Sequence, residues 1–109
     1  MNESEFIETI DTILMQIEEA IEDNDAGIEC ETSSGILTLE FENGSQVIIN
    51  RQTPVRQIWV AAKSGGYHLD LNKEDGSWYT DREGEELFAL LVRVCREQSG
   101  KTVKLTAGT

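Results

Sequence analysis

Long apolar runs are missing from this chain: no segment approaches the roughly 18 residues of a membrane span. The opening Met1-Asn2-Glu3-Ser4-Glu5 has neither the basic region nor the apolar stretch of a secretory signal. A cytoplasmic protein without a membrane partner is therefore expected. Basic residues are scarce, since 9 Lys+Arg against 21 Asp+Glu leave a formal net charge of −12 over 109 residues, with a pI near 4.3. Nucleic-acid binding rests on cationic contacts to phosphate, so this balance argues against nucleic acid and points to cationic partners, either a basic protein surface or metal ions. Only two cysteines occur, Cys30 and Cys95, far apart and without a C-x-x-C or a Cys/His set. Zinc and thioredoxin-like readings lose their support, and both residues read as buried thiols. The single histidine, His68, has no Ser or Cys arrangement beside it, which leaves little material for nucleophilic catalysis. No P-loop, dinucleotide glycine pattern, H-E-x-x-H or EF-hand loop is present. Asp70-Leu71-Asn72-Lys73-Glu74-Asp75-Gly76 lacks the acid spacing and closing glutamate of a calcium loop and reads as a turn.

What is present fits one domain over residues 1–109, long enough to bury a core without disulfides or a structural metal. Phe6, Ile10, Ile13, Leu14, Ile17 and Ile21 recur at helical spacing from Glu3 to about Asn24, one apolar stripe on a first helix. Asn2 with Glu5 resembles a capping box at its start, and Asp11, Glu18 and Glu22 are expected on its solvent side. From Ile28 the period changes to two. Ile28 and Cys30, then Leu37, Leu39 and Phe41, alternate with polar residues as consecutive strands with one buried face. Asn43-Gly44 marks a tight hairpin into Gln46–Asn50, Pro54 breaks the chain before Gln57–Lys63, and Gly65-Gly66 is expected to turn it into Tyr67–Leu71. Asp75-Gly76 leads to a short strand at Trp78–Thr80. A second helix is expected from Glu83 or Gly84 to Gln98, with Leu87, Leu90, Leu91, Val94 and Cys95 inward and Gly100 as its stop. Val103–Leu105 can add one short extended segment. There is no internal repeat and no linker. The order helix, about six strands, helix is α+β: a two-layer α/β sandwich with both helices on one face of an antiparallel sheet and the other face open.

Two features stand out on that frame. Glu18, Glu19, Glu22, Asp23, Asp25, Glu29 and Glu31 place seven carboxylates within fourteen residues, with no basic residue among them. Acids in a helix's last turn cost roughly 0.3–1 kcal/mol each, and like charges at i,i+4, such as Glu18 with Glu22, add a few tenths. A local rule is broken without structural gain, and such departures are where function is expected. Carboxylate oxygens suit hard cations, but a convex ridge cannot converge on one ion, so binding should be weak, multiple and poorly selective. The alternative is a solvated face that only keeps the protein soluble. The second feature is Trp59. Alternation with Ile58 and Val60 puts its indole on the open face, where tryptophan often marks a binding hot spot, unless the register is reversed and it belongs to the core. Asn50, Arg51, Gln52 and Gln57 are expected to flank it. His68 is either an ordinary sheet residue or a contact for metal or partner.

The run Asn43-Gly44-Ser45, Ile48-Ile49-Asn50-Arg51-Gln52, Pro54, Gln57-Ile58-Trp59, Ala61, Lys63 and Gly65-Gly66-Tyr67-His68 closely resembles the bacterial frataxin family, the CyaY proteins. The similarity spans nearly the whole chain, from the acidic first helix to the helix after Arg82-x-Gly84. It implies a frataxin-like sandwich and a role in iron–sulfur cluster assembly. It further implies weak, surface-bound Fe²⁺ or Fe³⁺ on the ridge Glu18, Glu19, Glu22, Asp23, Asp25, Glu29 and Glu31, other divalent cations being possible ligands. The partners implied are the cysteine desulfurase and the scaffold protein, met through Glu18, Glu19 and Glu22 and through Trp59, Asn50, Arg51 and Gln52. A monomer is expected without iron. One departure is the loop Asp25-Ala26-Gly27-Ile28, shorter and poorer in acids than in many bacterial relatives, which bears on iron stoichiometry more than on partner binding. The reading is an iron-binding regulator that acts by docking, with the question of enzymatic activity left open; the alternative is an iron chaperone or ferroxidase delivering iron for cluster assembly.

Overall fold

The computed structural model describes residues 1–24 and 26–105. The chain runs α1 (Glu3–Asn24), β1 (Glu29–Ser33), β2 (Ile36–Glu40), β3 (Gln46–Gln52), β4 (Gln57–Ala62), β5 (Gly65–Leu71), β6 (Trp78–Thr80) and α2 (Leu87–Ser99), with one 3₁₀ turn at Thr53–Val55. All strands pair antiparallel with their sequence neighbours, in the order β1-β2-β3-β4-β5-β6. Short turns dictate this meander. Ser34 and Gly35, with φ of 47° and 79°, form the two-residue turn between β1 and β2, the left-handed geometry that matches strand twist. At the next corner Gly44, at φ 85°, donates its N–H to Phe41 O (2.9 Å).

Both helices lie on one sheet face, and the core fills the gap between the layers. Phe6, Ile10, Leu14, Ile17 and Ile21 from α1 meet Leu37, Leu39, Val47, Ile49, Ile58, Val60 and Leu69 from the sheet, with Leu87, Leu90, Leu91, Val94 and Cys95 from α2. Each such side chain contributes roughly 1.5–3 kcal/mol by leaving water. Ile13, expected in the α1 stripe, is only half-buried against this cluster. The capping box forms as read: Glu5 N–H donates to Asn2 Oδ1 (2.8 Å) and Asn2 N–H to Glu5 Oε1 (3.3 Å). Gly100, at φ 75°, closes α2 by donating its N–H to Arg96 O (2.8 Å). No helix of the described residues is long and apolar enough to cross a membrane.

Two expectations about elements need correction. Gly65 and Gly66 lie inside β5, and the turn falls on Lys63-Ser64, because Ala62 pairs with Gly65. The second helix begins at Leu87, not at Glu83 or Gly84. Gly84, at φ 67°, closes a turn onto Thr80 O, and the Glu86 carboxylate serves as the N-cap, accepting from Phe88 N–H (3.0 Å) and Ala89 N–H (3.2 Å). Val103–Leu105, expected as a short extended segment, pairs with none of the six strands, and its apolar side chains are buried, Val103 to 1% and Leu105 to 6% exposure. The segment is fixed by Asn24, whose side-chain amide donates to Lys104 O (3.1 Å) and accepts from Lys104 N–H (2.8 Å).

Candidate functional site: an acidic ridge and an open sheet face

The ridge is assembled by α1 and the edge strand β1. Glu18 is half-buried and Glu19, Glu22, Asp23, Glu29 and Glu31 are exposed. Asp25 lies outside the described residues. Asp11, like Glu22, is exposed as expected for the solvent side of α1, while Asp11 and Glu18 also reach residues of the sheet layer. Asp11 pairs with Arg51 at 2.5 Å, and Glu18 accepts from Thr32 Oγ1 (3.2 and 3.3 Å). Alternation along β1 turns Cys30 toward the core, where it is half-buried, and sends Glu29 and Glu31 to the open face. Glu29 there stands opposite Glu40 of β2, a like-charge pair that destabilises.

None of the six described ridge acids has a Lys or Arg partner within 4.0 Å among the described residues. The last turn of α1 contains no basic residue. Among the described residues, no group of three His, Cys, Asp or Glu side chains is placed to hold one ion. This donor set suits cations that keep most of their water and are held by field more than by a closed shell. The field reaches inward as well. Burial first, then the charges of Glu18 and Glu22, push the Cys30 thiol up to about 11.

Trp59 projects from the open face, between the buried Ile58 and Val60. Its ring stacks on His68 of β5 at 4.4 Å between centroids and 21° between planes, because the register sets the two residues opposite each other. Its Nε1–H donates to Gln57 Oε1 (2.9 Å), and Gln57 Nε2 donates in turn to Asp70 Oδ1 (3.0 Å). His68 Nδ1 lies 4.0 Å from Asp81. Asn50 pairs directly opposite Trp59 on β3, and Gln52 opposite Gln57. Arg51 does not join this group. It falls between Asn50 and Gln52 on a period of two, so its side chain crosses to the helix layer and meets Asp11. The sequence reading missed the stacking role of His68, a cross-strand relation that only the hairpin register reveals. That register is set by the β4–β5 turn at Lys63-Ser64, two residues before the Gly65-Gly66 pair that the sequence points to.

A helix, a six-stranded antiparallel meander and a second helix, bearing an acidic edge without basic partners among the described residues and a half-buried tryptophan on the open sheet face, define a frataxin-like two-layer sandwich. The family model of the frataxin-like domain matches residues 1–101. The chain is 52% identical over 103 residues to the iron-sulfur cluster assembly protein CyaY of Photobacterium profundum, covering 94% of this chain and 96% of that one. It is 47% identical over 104 residues to the protein of the same name from Pseudomonas aeruginosa, covering 95% and 96%. Among solved structures, frataxin from Psychromonas ingrahamii superposes with a TM-score of 0.90 at 42% identity, over 97% of this chain and 99% of that one. Trimeric frataxin from the yeast Saccharomyces cerevisiae, complexed with ferrous iron, does so at 0.67 and 32% identity, over 89% and 87%. This chain belongs to the frataxin family, among its bacterial CyaY members.

Proposed function

We propose that the protein is an iron-responsive regulator of iron–sulfur cluster assembly that docks on the cysteine desulfurase through its acidic ridge and meets the scaffold protein with the sheet face around Trp59. The observation that carries this reading is the set of six ridge carboxylates without basic partners among the described residues. Unpaired surface charge costs the fold and serves long-range attraction. It raises the association rate with a basic patch and loses that effect in salt. The names of the Photobacterium and Pseudomonas relatives place those proteins in iron–sulfur cluster assembly, and the yeast frataxin complex supports iron as the cation. The ridge residues Glu18, Glu19, Glu22, Asp23, Asp25, Glu29 and Glu31 would hold Fe²⁺ or Fe³⁺ at the surface with water completing the shell. Bound iron then neutralises part of the ridge and alters docking.

Calorimetric titration against a bacterial cysteine desulfurase, at low and high salt and with and without Fe²⁺, tests this. Binding that weakens steeply with salt, changes with iron and is lost in Glu18→Lys/Glu19→Lys/Glu22→Lys is expected. Unchanged affinity in that folded triple variant refutes ridge docking. The yeast complex with ferrous iron also favours a second reading, an iron chaperone or ferroxidase. An oxidase needs an enclosed, oriented site, whereas the ridge is open. Fe²⁺ oxidation clearly faster than in buffer, and lost on ridge substitution, would select that second reading.

A further inference from the structure

Helix α1 leaves one large apolar side chain in solvent, in its C-terminal half: Met15, 59% exposed. Asp11 precedes it by four residues, and Glu18 and Glu19 follow by three and four. Those are the positions whose side chains adjoin on a helix surface, so the thioether stands between the unpaired Glu18 and Glu19 on one side and Asp11, ion-paired to Arg51, on the other. Beside it a groove of about 430 Å³ runs between α1 and the β1–β2 turn, with Ile7, Leu14 and Met15 as its apolar lining. Two contacts brace its walls, the Arg51–Asp11 ion pair at 2.5 Å and the Thr32 hydroxyl on Glu18 at 3.2 Å. Gly35 leaves the room that Arg51 occupies, since a Cβ there would come within 2.8 Å of the guanidinium carbon.

A single exposed apolar residue means little by itself. Here exposure, a braced groove and the unpaired carboxylates of Glu18 and Glu19 at one end of it coincide, and together they select the occupant. It must offer an apolar side chain to Met15 and Ile7 and positive charge to Glu18, Glu19 and Glu22. We infer that Met15 is the apolar anchor of the ridge: the groove takes an apolar side chain from a Lys- or Arg-flanked segment of the desulfurase, and the inference rests on the docking reading given above. Methionine suits the task, because its unbranched, polarizable chain adapts to the shape it meets. The two parts of the site then divide the work. The carboxylates govern how fast the partner arrives, and the anchor governs how long it stays.

Surface plasmon resonance on immobilised bacterial cysteine desulfurase, using the whole protein at two salt concentrations, separates these parts. Met15→Gln keeps side-chain length and helix propensity, so the fold should persist, with circular dichroism as the check. Its dissociation rate should rise about tenfold, the loss of an ordinary hot-spot contact, while association rate and salt dependence stay as in wild type. Met15→Leu should restore slow dissociation. A Met15→Gln dissociation rate within about twofold of wild type, where the scale sets tenfold at 1.4 kcal/mol, overturns the anchor. The companion variant Glu18→Gln/Glu19→Gln/Glu22→Gln distinguishes the failures. If it associates slowly while Met15→Gln is silent, ridge docking stands and the anchor falls. If wild type does not bind, or this variant binds as wild type does, the docking reading falls and takes the anchor with it.

Discussion

Replacing Glu22 and Asp23 with Gln and Asn should stabilise the fold while weakening whatever the ridge binds. Both residues are exposed in the last turn of α1, where the free carbonyl ends are partially negative and no basic residue compensates. Each acid there costs roughly 0.3–1 kcal/mol. The i,i+4 pairs Glu18–Glu22 and Glu19–Asp23 add a few tenths of a kcal/mol each. Exposure and screening favour the low end of these ranges, so the double variant should gain about 1 kcal/mol at low ionic strength. For domains approaching this size that is about 4–8 °C in melting temperature. Thermal unfolding followed by circular dichroism at low salt and at molar salt reads the effect. The gain should shrink strongly in molar salt, where the screening length falls to about 3 Å. An unchanged or lower melting temperature at low salt refutes the argument that the ridge is held against the interest of stability.

Asn24→Ala removes the two-way amide contact with Lys104 and the 2.6 Å bond to Ala20 O; at about 0.5–1.5 kcal/mol per net hydrogen bond it should cost about 2 kcal/mol in urea unfolding. Gly35→Ala strains a φ of 79° and pushes on Arg51, so a loss of about 1 kcal/mol or more is expected in the same assay. The thiols give a pH signature: burial, with help from Glu18 and Glu22, raises Cys30 from 9.0 to about 11, and burial chiefly raises Cys95 to about 12. The native state then holds protons that the unfolded chain releases, so the stability linked to them is full below pH 9.0 and declines as pH climbs toward 11 and 12. A Cys30→Ala/Cys95→Ala variant, compared with wild type by urea unfolding across that range, should show a flatter alkaline decline. His68→Ala frees one face of Trp59, and its indole emission should shift to the red with no loss of secondary structure; unchanged emission contradicts the stacked geometry.

The fold was largely legible because its signals are local. The Phe6-to-Ile21 stripe, the Asn2/Glu5 box and Gly100 each fix one end or one face of a helix without help from distant residues. Trp59 was placed on the open face for the same reason, since alternation against Ile58 and Val60 needs only the strand itself. The failures concern relations between elements. Arg51 was grouped with Asn50 and Gln52 by adjacency, although the same alternation that exposes Trp59 sends it toward Asp11. Glu86 as a cap could not be foreseen, because its backbone is first held extended by a bridge to Tyr79. The burial of Val103 and Leu105 follows from a contact made 80 residues away by Asn24. No window along the chain contains that information.

If iron and partner share one ridge, as proposed, their affinities are thermodynamically linked. If Fe²⁺ bound among these carboxylates changes desulfurase affinity by some factor, the desulfurase must change iron affinity by the same factor. Neutralised carboxylates attract a basic patch less, so electrostatics alone makes iron and partner competitors. A desulfurase that bound more tightly with iron would require the metal to bridge the two proteins, using ligands from both. Among the described residues no three ridge donors are grouped around one position, so a tightly held ion there would need further ligands, which a partner could supply. Titrating iron into the isolated protein and into the preformed complex decides between them. Weaker uptake by the complex means competition for charge, and stronger uptake means a shared site completed by the partner.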